Sequence, residues 1–235
     1  LEYYYTQINN IIDDRLVITG DDYAHLTNVL RKKPGEEIFV TDGQRNVYRS
    51  EIEDISHEKI TCAINERFFN LNEPLVKITL YQSLLKNPSR FEFVIEKSVE
   101  LGVYEIIPII TENVVNKERD RSERWQSVAL SAMKQSQRCY LPKVLHPKKF
   151  EEAINNSGNT DVKIFADERE IEGHLKMPEI NLLSDSISLF IGPEGGFTMK
   201  ELQTAEELGF KILNLGKRKL RSETAALTAL SRILI

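Results

Sequence analysis

The sequence predicts two domains of different class: a small antiparallel β-barrel or sandwich, then an α/β domain with a parallel sheet covered by helices. Three observations carry this. Short alternating apolar runs fill residues 1–70, a strand-then-helix rhythm takes over from Val76, and "LNEPL" around Pro74 separates them. Proline lacks a ladder donor, so a strand does not continue through it. The expected domains are therefore 1–72 and 73–235.

In the first part, "YYYTQI", "RLVITG", "EEIFVTDG", "NVYRSEIEDI" and "KITCAINERFF" each alternate apolar and polar residues, the pattern of half-buried strands. Asp42-Gly43 lies between two of these runs and reads as a hairpin turn. "DDYAHLTNVLR", Asp21 to Arg31, has helical spacing, with acids in its first turn and bases at its end to match the helix dipole.

The second part opens with the strand "VKITLYQSLL". A helix over Ser89–Leu101 follows, with Phe91, Val94, Ile95 and Val99 on one side and Gly102 as its stop. The strand "YEIIPII" precedes a helix over Ser122–Arg138, whose apolar stripe is Trp125, Val128, Ala129, Ala132 and Met133. "DVKIFA" and "SISLFIG" read as buried strands. Thr198 and Glu201 form a T-x-x-E capping box for a helix that closes at Gly209. "KILNLG" is the last strand and "SETAALTALSRILI" the last helix.

With 235 residues, 41% of them hydrophobic, the chain has enough apolar material for packed cores. The net charge of −5 lies wholly in residues 1–72, which hold 8 basic and 13 acidic side chains, whereas 73–235 hold 23 of each. A uniformly basic coat for nucleic acid is excluded, but a local basic face is not. Cys62 and Cys139, far apart, make neither a disulfide framework nor a metal cluster and read as reduced structural thiols. His25, His57, His146 and His174 share no ligand spacing, and no metal is expected. "LEYYYTQINN" lacks the basic and apolar regions of a signal peptide, and no apolar run reaches a membrane span, so a cytoplasmic location is expected.

Two loops carry the chemistry. "IGPEGGF", Ile191 to Phe197, has neither a dinucleotide fingerprint nor the lysine of a phosphate loop, and it places Glu194 where a phosphate would want a cation. Glycines after a strand let a ligand approach the backbone, which suits an adenine or another uncharged edge. A strand-to-helix turn that needs glycine for backbone reasons alone gives the same letters. "LGKRKLRSETAA", from Leu215, gathers Lys217, Arg218, Lys219 and Arg221, followed by Glu223 and Thr224 at a helix start. By itself such a run is either a solvated face or a phosphate contact. Both loops follow the C-terminal ends of predicted strands, where open α/β sheets bind ligands. Backbone-lined glycines, the carboxylates of Glu194 and Glu223 and a basic rim fit a cationic, nucleoside-like cofactor beside a polyanionic substrate.

The pair "IGPEGGF" and "LGKRKLRSETA" resembles the signature of the ribosomal RNA small subunit methyltransferase E family, a branch of the SPOUT methyltransferases. "HLTNVLR" with "VTDG", "EKSVELGVYEIIPI" and "RW…KQSQR" resemble that family's other motifs in the same order. Lys219 departs from the pattern, which has an aliphatic residue there. The resemblance implies a PUA-like β-barrel for RNA, then a SPOUT α/β domain with a C-terminal trefoil knot that binds S-adenosylmethionine. It also implies a homodimer that methylates N3 of a uridine in 16S ribosomal RNA of the small subunit.

On that basis Gly192, Pro193, Glu194, Gly195, Gly196, Leu215, Gly216, Leu220, Thr224 and Ala225 are expected around the cofactor. Arg221 is expected to stabilise the N3 anion, its alternative being to pair with Glu223 or cap a carbonyl. Glu223 is the candidate proton acceptor, with an orienting role as its alternative. RNA contacts are expected from Arg31, Lys32, Lys86, Arg90, Arg124 and Arg138. A non-catalytic RNA-binding module is the alternative to the enzyme, and a nucleotide-binding enzyme that holds phosphate in the glycine loop is a third reading.

Overall fold

Tyr4, Leu16, Ile18, Ile38, Val40, Tyr48, Ile52, Ile60 and Cys62 meet in one buried cluster, because side chains two apart on a strand share a face. The structure, a computed structural model, describes residues 2–115, 120–169 and 186–234. The chain divides into two units: Leu1–Glu73 with Met133–Leu141, and Pro74–Ala132 with Pro142–Ile235.

The first unit is a six-stranded sheet of β1 (Tyr3–Tyr5), β2 (Ile11–Ile12), β3 (Arg15–Thr19), β4 (Glu37–Thr41), β5 (Asn46–Ser56) and β6 (Lys59–Phe69), with helix α1 (Gly20–Ala24) after β3. The order is β1-β4-β5-β6-β3-β2. Tyr4 from one edge and Ile11 from the other reach the same core, so the sheet curls as a barrel does. One pair departs from the expected antiparallel pattern: β1 runs parallel to β4. Two strands and a helix lie between them in the chain, enough length to return in the same direction.

The hairpin at Asp42-Gly43 is present. The Asp42 carboxylate accepts from Gln44 N at 2.7 Å, Asn46 Nδ2 at 2.7 Å and Tyr48 OH at 3.1 Å. Gly43 has φ +69°, and a Cβ there would come within 3.0 Å of the Leu141 Cβ. The expected helix through Arg31 is shorter and wider. After α1 the chain makes one π-helical turn, His25–Val29, in which Leu30 N–H donates to His25 O at 3.0 Å, and Arg31 leaves it at φ +53°.

Met133–Leu141 is tied to this unit by a buried ion pair. Arg138, 4% exposed, donates to Glu73 from Nη2 at 2.7 Å and Nε at 3.1 Å, and the same carboxylate accepts Cys139 N at 2.8 Å and Tyr140 N at 2.9 Å. Arg138, expected from the sequence as an RNA contact, thus has its guanidinium buried and paired with Glu73.

The second unit is a seven-stranded, all-parallel sheet among the described residues. Its strands are β7 (Lys77–Ser83), β8 (Glu105–Ile110), β9 (Lys143–Val144), β10 (Lys148–Lys149), β11 (Val162–Ala166), β12 (Ser186–Ile191) and β13 (Lys211–Leu213). The order is β10-β8-β7-β12-β11-β13, with β9 also on β8. Helices α2 (Pro88–Leu101), α3 (Ser122–Gln135), α4 (Phe150–Asn156), α5 (Met199–Glu207) and α6 (Ser222–Leu234) connect or follow them. A parallel sheet needs helical crossovers and is covered on both faces, which is why its strands are nearly continuous apolar runs.

One face is aromatic. Tyr81, Phe165 and Phe190 project from β7, β11 and β12 onto α4, α5, Phe197 and Phe210, with Tyr81 stacked on Phe190 at 4.2 Å and Phe165 against Phe197 at 4.1 Å. Helix α2 stops as expected at Gly102, φ +104°, where a Cβ would meet Pro74 Cγ at 2.5 Å. The Thr198–Glu201 capping box is also in place: Thr198 N donates to Glu201 Oε2 at 2.8 Å, and Glu201 N to Thr198 Oγ1 at 3.2 Å.

Arg138→Ala is expected to destabilise the protein by about 3 kcal/mol, because it strands a buried carboxylate. An unchanged urea midpoint refutes this. Both cysteines are buried, and burial first, with Glu53 near Cys62 and Glu73 near Cys139, pushes each thiol up to about 12. At about pH 8 a native sample treated with an alkylating reagent should keep both thiols unmodified, since the thiolate is the reactive form. Labelling at the rate of an unfolded control would count against it.

Candidate functional site

The ladder places Ala166 beside Ile191 on one side and Leu213 on the other, so β11, β12 and β13 end at one level. The three loops that leave them enclose a cavity of about 290 Å³. Two of its walls are the loops singled out in the sequence. Gly192, Pro193, Glu194, Gly195 and Gly196 line it from one side, and Leu215, Gly216, Leu220 and Ala225 from the other. Thr224, Arg221 and Glu223 do not line it. The third wall, Asp167, Glu168 and Arg169 after β11, was missed. Its signal was the same one used for the other two: polar residues at the C-terminal end of a predicted parallel strand.

The glycine loop is shaped by its contacts. A Cβ on Gly192 would lie 3.1 Å from the Phe197 ring, a tight contact, so glycine gives that ring room at the cavity floor. Gly196 N donates to Pro193 O at 3.0 Å, closing a four-residue turn with Gly196 at φ +70°. Asn113 Nδ2 clamps this turn from outside by donating to Gly196 O at 3.0 Å and Gly195 O at 3.3 Å. Glu194 accepts from Lys86 N at 3.1 Å, which ties the loop to the β7–α2 connection.

The other walls are joined by side chains. Asn214 Nδ2 donates to the carbonyls of Glu168 and Arg169, both at 3.3 Å, while its Oδ1 accepts from Gly216 N at 2.8 Å. Asp167 is buried and accepts from Arg169 Nε at 2.7 Å. Lys219 Nζ meets Glu168 Oε1 at 2.9 Å across the rim. Ser222, another lining residue missed from the sequence, donates from Oγ to Gly192 O at 2.5 Å.

The lining therefore holds three acids, Asp167, Glu168 and Glu194, against Arg169, Arg218 and Lys219, and four of these six charges cancel in pairs. Such a cavity has no concentrated positive charge for a triphosphate. Its glycine backbone and apolar floor suit a nucleoside, and the Glu194 carboxylate, which no lining cation neutralises, suits a cationic group.

Outside the cavity, Arg221 is exposed just before α6 and makes no side-chain hydrogen bond or ion pair among the described residues. Glu223 approaches Arg90 Nε at 3.7 Å, not Arg221. Arg124 pairs with Glu92 at 3.0 Å and Lys32 with Glu36 at 2.7 Å, while Arg31 and Lys86 are exposed. His174 lies outside the described residues, and among those described no three His, Cys, Asp or Glu side chains converge to hold a metal.

Comparison with known proteins gives this geometry a family. Residues 72–234 match the model of an RNA methyltransferase domain, and residues 18–65 that of an RNA methyltransferase PUA domain. The ribosomal RNA small subunit methyltransferase E of Mesomycoplasma hyopneumoniae strain 232 is 33% identical over 229 residues, 96% of each chain. That of Bacillus subtilis strain 168 is 30% identical over 230 residues, 92% of this chain and 88% of its own. A crystal structure of the Neisseria gonorrhoeae enzyme bound to S-adenosyl methionine matches with a TM-score of 0.84 at 33% identity, over 99% of this chain and 96% of that one. This chain belongs to the ribosomal RNA small subunit methyltransferase E family.

Proposed function

We propose that this protein transfers a methyl group from S-adenosylmethionine to N3 of a uridine in 16S ribosomal RNA of the small subunit, as a homodimer in the cytoplasm. The observation that carries the reading is the convergence of the glycine loop and the basic "GKRKLRSETA" loop on one cavity. The names of its relatives, small subunit ribosomal RNA methyltransferases, and the cofactor bound to the Neisseria protein support it. The reading includes the C-terminal trefoil knot of the family, and domains 1–72 for RNA and 73–235 for catalysis.

S-adenosylmethionine, when bound, supplies an electrophilic methyl group. The chain's own residues do the rest. Gly192, Pro193, Gly195 and Gly196 offer backbone to a nucleoside, Leu215, Gly216, Leu220 and Ala225 close the opposite wall, and the carboxylate of Glu194, which no lining cation neutralises, suits its positive charge. Thr224, outside the lining, stands in the first turn of α6. Transfer to a ring nitrogen is an in-line displacement, so alignment of donor and acceptor is the main task. Arg221, exposed beside the cavity wall at Leu220, holds the uracil carbonyl oxygens and, by stabilising the anion, favours loss of the N3 proton to solvent water. Glu223 keeps Arg90 in place, a positioning role that its 3.7 Å approach supports better than direct proton transfer. Arg31, Lys32, Lys86, Arg90 and Arg124 contact the RNA backbone.

Titration calorimetry should show S-adenosylmethionine binding and no comparable binding of ATP. Incubation with undermodified small-subunit RNA should place the methyl group on N3 of a uridine, and cofactor binding without methyl incorporation would sink the enzymatic reading. Arg221→Ala is expected to bind the cofactor normally yet lose on the order of 100-fold in kcat, the size of effect seen when one preorganised donor to a developing anion is removed. A wild-type rate would remove Arg221 from the mechanism.

A further inference from the structure

Gln82 lies in β7, in the middle of the parallel sheet, paired in the ladders with Ile191 of β12 and Pro108 of β8, and it is fully buried. An amide in that place loses hydration and packs no better than a methionine of similar volume, so stability alone does not explain it. Both of its amide protons are used: Nε2 donates to Ser83 O at 3.0 Å and to Ser222 Oγ at 2.9 Å. Its Oε1 is buried and accepts no hydrogen bond among the described residues. The side chain is held for its donor end.

Ser222, 5% exposed and the first residue of α6, has a single hydroxyl proton, and that proton goes to Gly192 O at 2.5 Å. Because Gln82 occupies the hydroxyl as a donor, Ser222 has one direction left in which to donate. The result is a one-way chain from the Gln82 amide through the Ser222 hydroxyl to the Gly192 carbonyl. It fastens the core strand β7 to both cavity walls, since Gly192 and Ser222 each line the cavity.

We propose that Gln82 and Ser222 are positioning residues for the cofactor. By fixing the Gly192 carbonyl and the first turn of α6 in one geometry, they leave the glycine loop ordered before the ligand arrives. The second lone pair of that carbonyl is then presented to an amino or hydroxyl donor on the nucleoside. This inference rests on the reading of the cavity as the S-adenosylmethionine site.

Three variants separate hydrogen-bond direction from volume. Ser222→Ala removes the proton that reaches Gly192, and Ser222→Thr keeps it. Gln82→Glu keeps the volume; measured at about pH 9, so that the buried carboxyl is ionised, it only accepts, and Ser222 turns its proton toward it and away from Gly192. Calorimetry with S-adenosylmethionine, thermal unfolding, and KM against kcat on undermodified small-subunit RNA are measured for each full-length variant. Ser222→Ala and Gln82→Glu should raise Kd and KM for the cofactor about tenfold, with kcat at saturation and the Ser222→Thr affinity both within about threefold of wild type.

Unchanged affinity in Ser222→Ala and Gln82→Glu overturns the proposal. So does a loss that only follows the fall in Tm with no rescue by threonine, which would mark a structural role. Should the buried carboxylate of Gln82→Glu prevent folding, the Ser222→Ala and Ser222→Thr pair decides alone. A wild-type protein that binds no S-adenosylmethionine refutes the reading of the cavity and the inference with it, an outcome distinct from normal wild-type binding with indifferent variants.

Discussion

Parallel pairing of β11 with β12 on one side and β13 on the other is the constraint from which the site follows. Neighbouring strands lie about 4.8 Å apart, so three adjacent strand ends span about 10 Å, the scale of a nucleoside. Loops leaving those ends have to share the space above them. They are also exempt from the ladder, so their backbone groups are available to turns, clamps and ligands.

The core below and the cavity above are one packing problem. Phe197 belongs to the aromatic cluster with Phe165 and Phe190, and it also forms the cavity floor. Its ring lies 3.1 Å from where a Cβ on residue 192 would stand, so a side chain there would press on it. A change in the hydrophobic layer is therefore felt at the glycine loop, since close-packed interiors transmit strain. Polar ties then fix what packing leaves free. Asn113 holds the outer carbonyls of the loop, and Asn214 links the other two walls.

Much of the second unit was legible in the sequence, because its signals are local. Strands with continuous apolar runs, Gly102 beyond a helical stripe, and Thr198 three residues before Glu201 each announce themselves within a few positions. The glycine and basic loops were legible for the same reason. What was not legible depends on partners far apart in the chain. Arg138 looks like any charge at the end of a helix, and only the fold shows that Glu73 waits for it. The parallel start of β1, the third wall at Asp167–Arg169 and the buried amide of Gln82 are also consequences of strand order, which periodicity does not encode. The π-helical turn at His25–Val29 escaped because an apolar stripe does not register one extra residue per turn.

Lys219 shows how far a single departure from a motif reaches. Its ammonium pairs with Glu168 at 2.9 Å, with the two side chains 73% and 50% exposed. An ion pair so open to solvent contributes little to stability, so the lysine is not there to hold the fold. Position 219 lies on the rim, where an aliphatic side chain and the stem of a lysine cover the cavity edge equally well. What the lysine adds is neutralisation of Glu168, which leaves Glu194 as the carboxylate of the lining not matched by a neighbouring cation there. The lining charges left without an ion-pair partner among the described residues are then Glu194 and Arg218, so a cationic group is best received at Glu194 on the glycine loop, the wall that the Ser222 hydroxyl fastens in place.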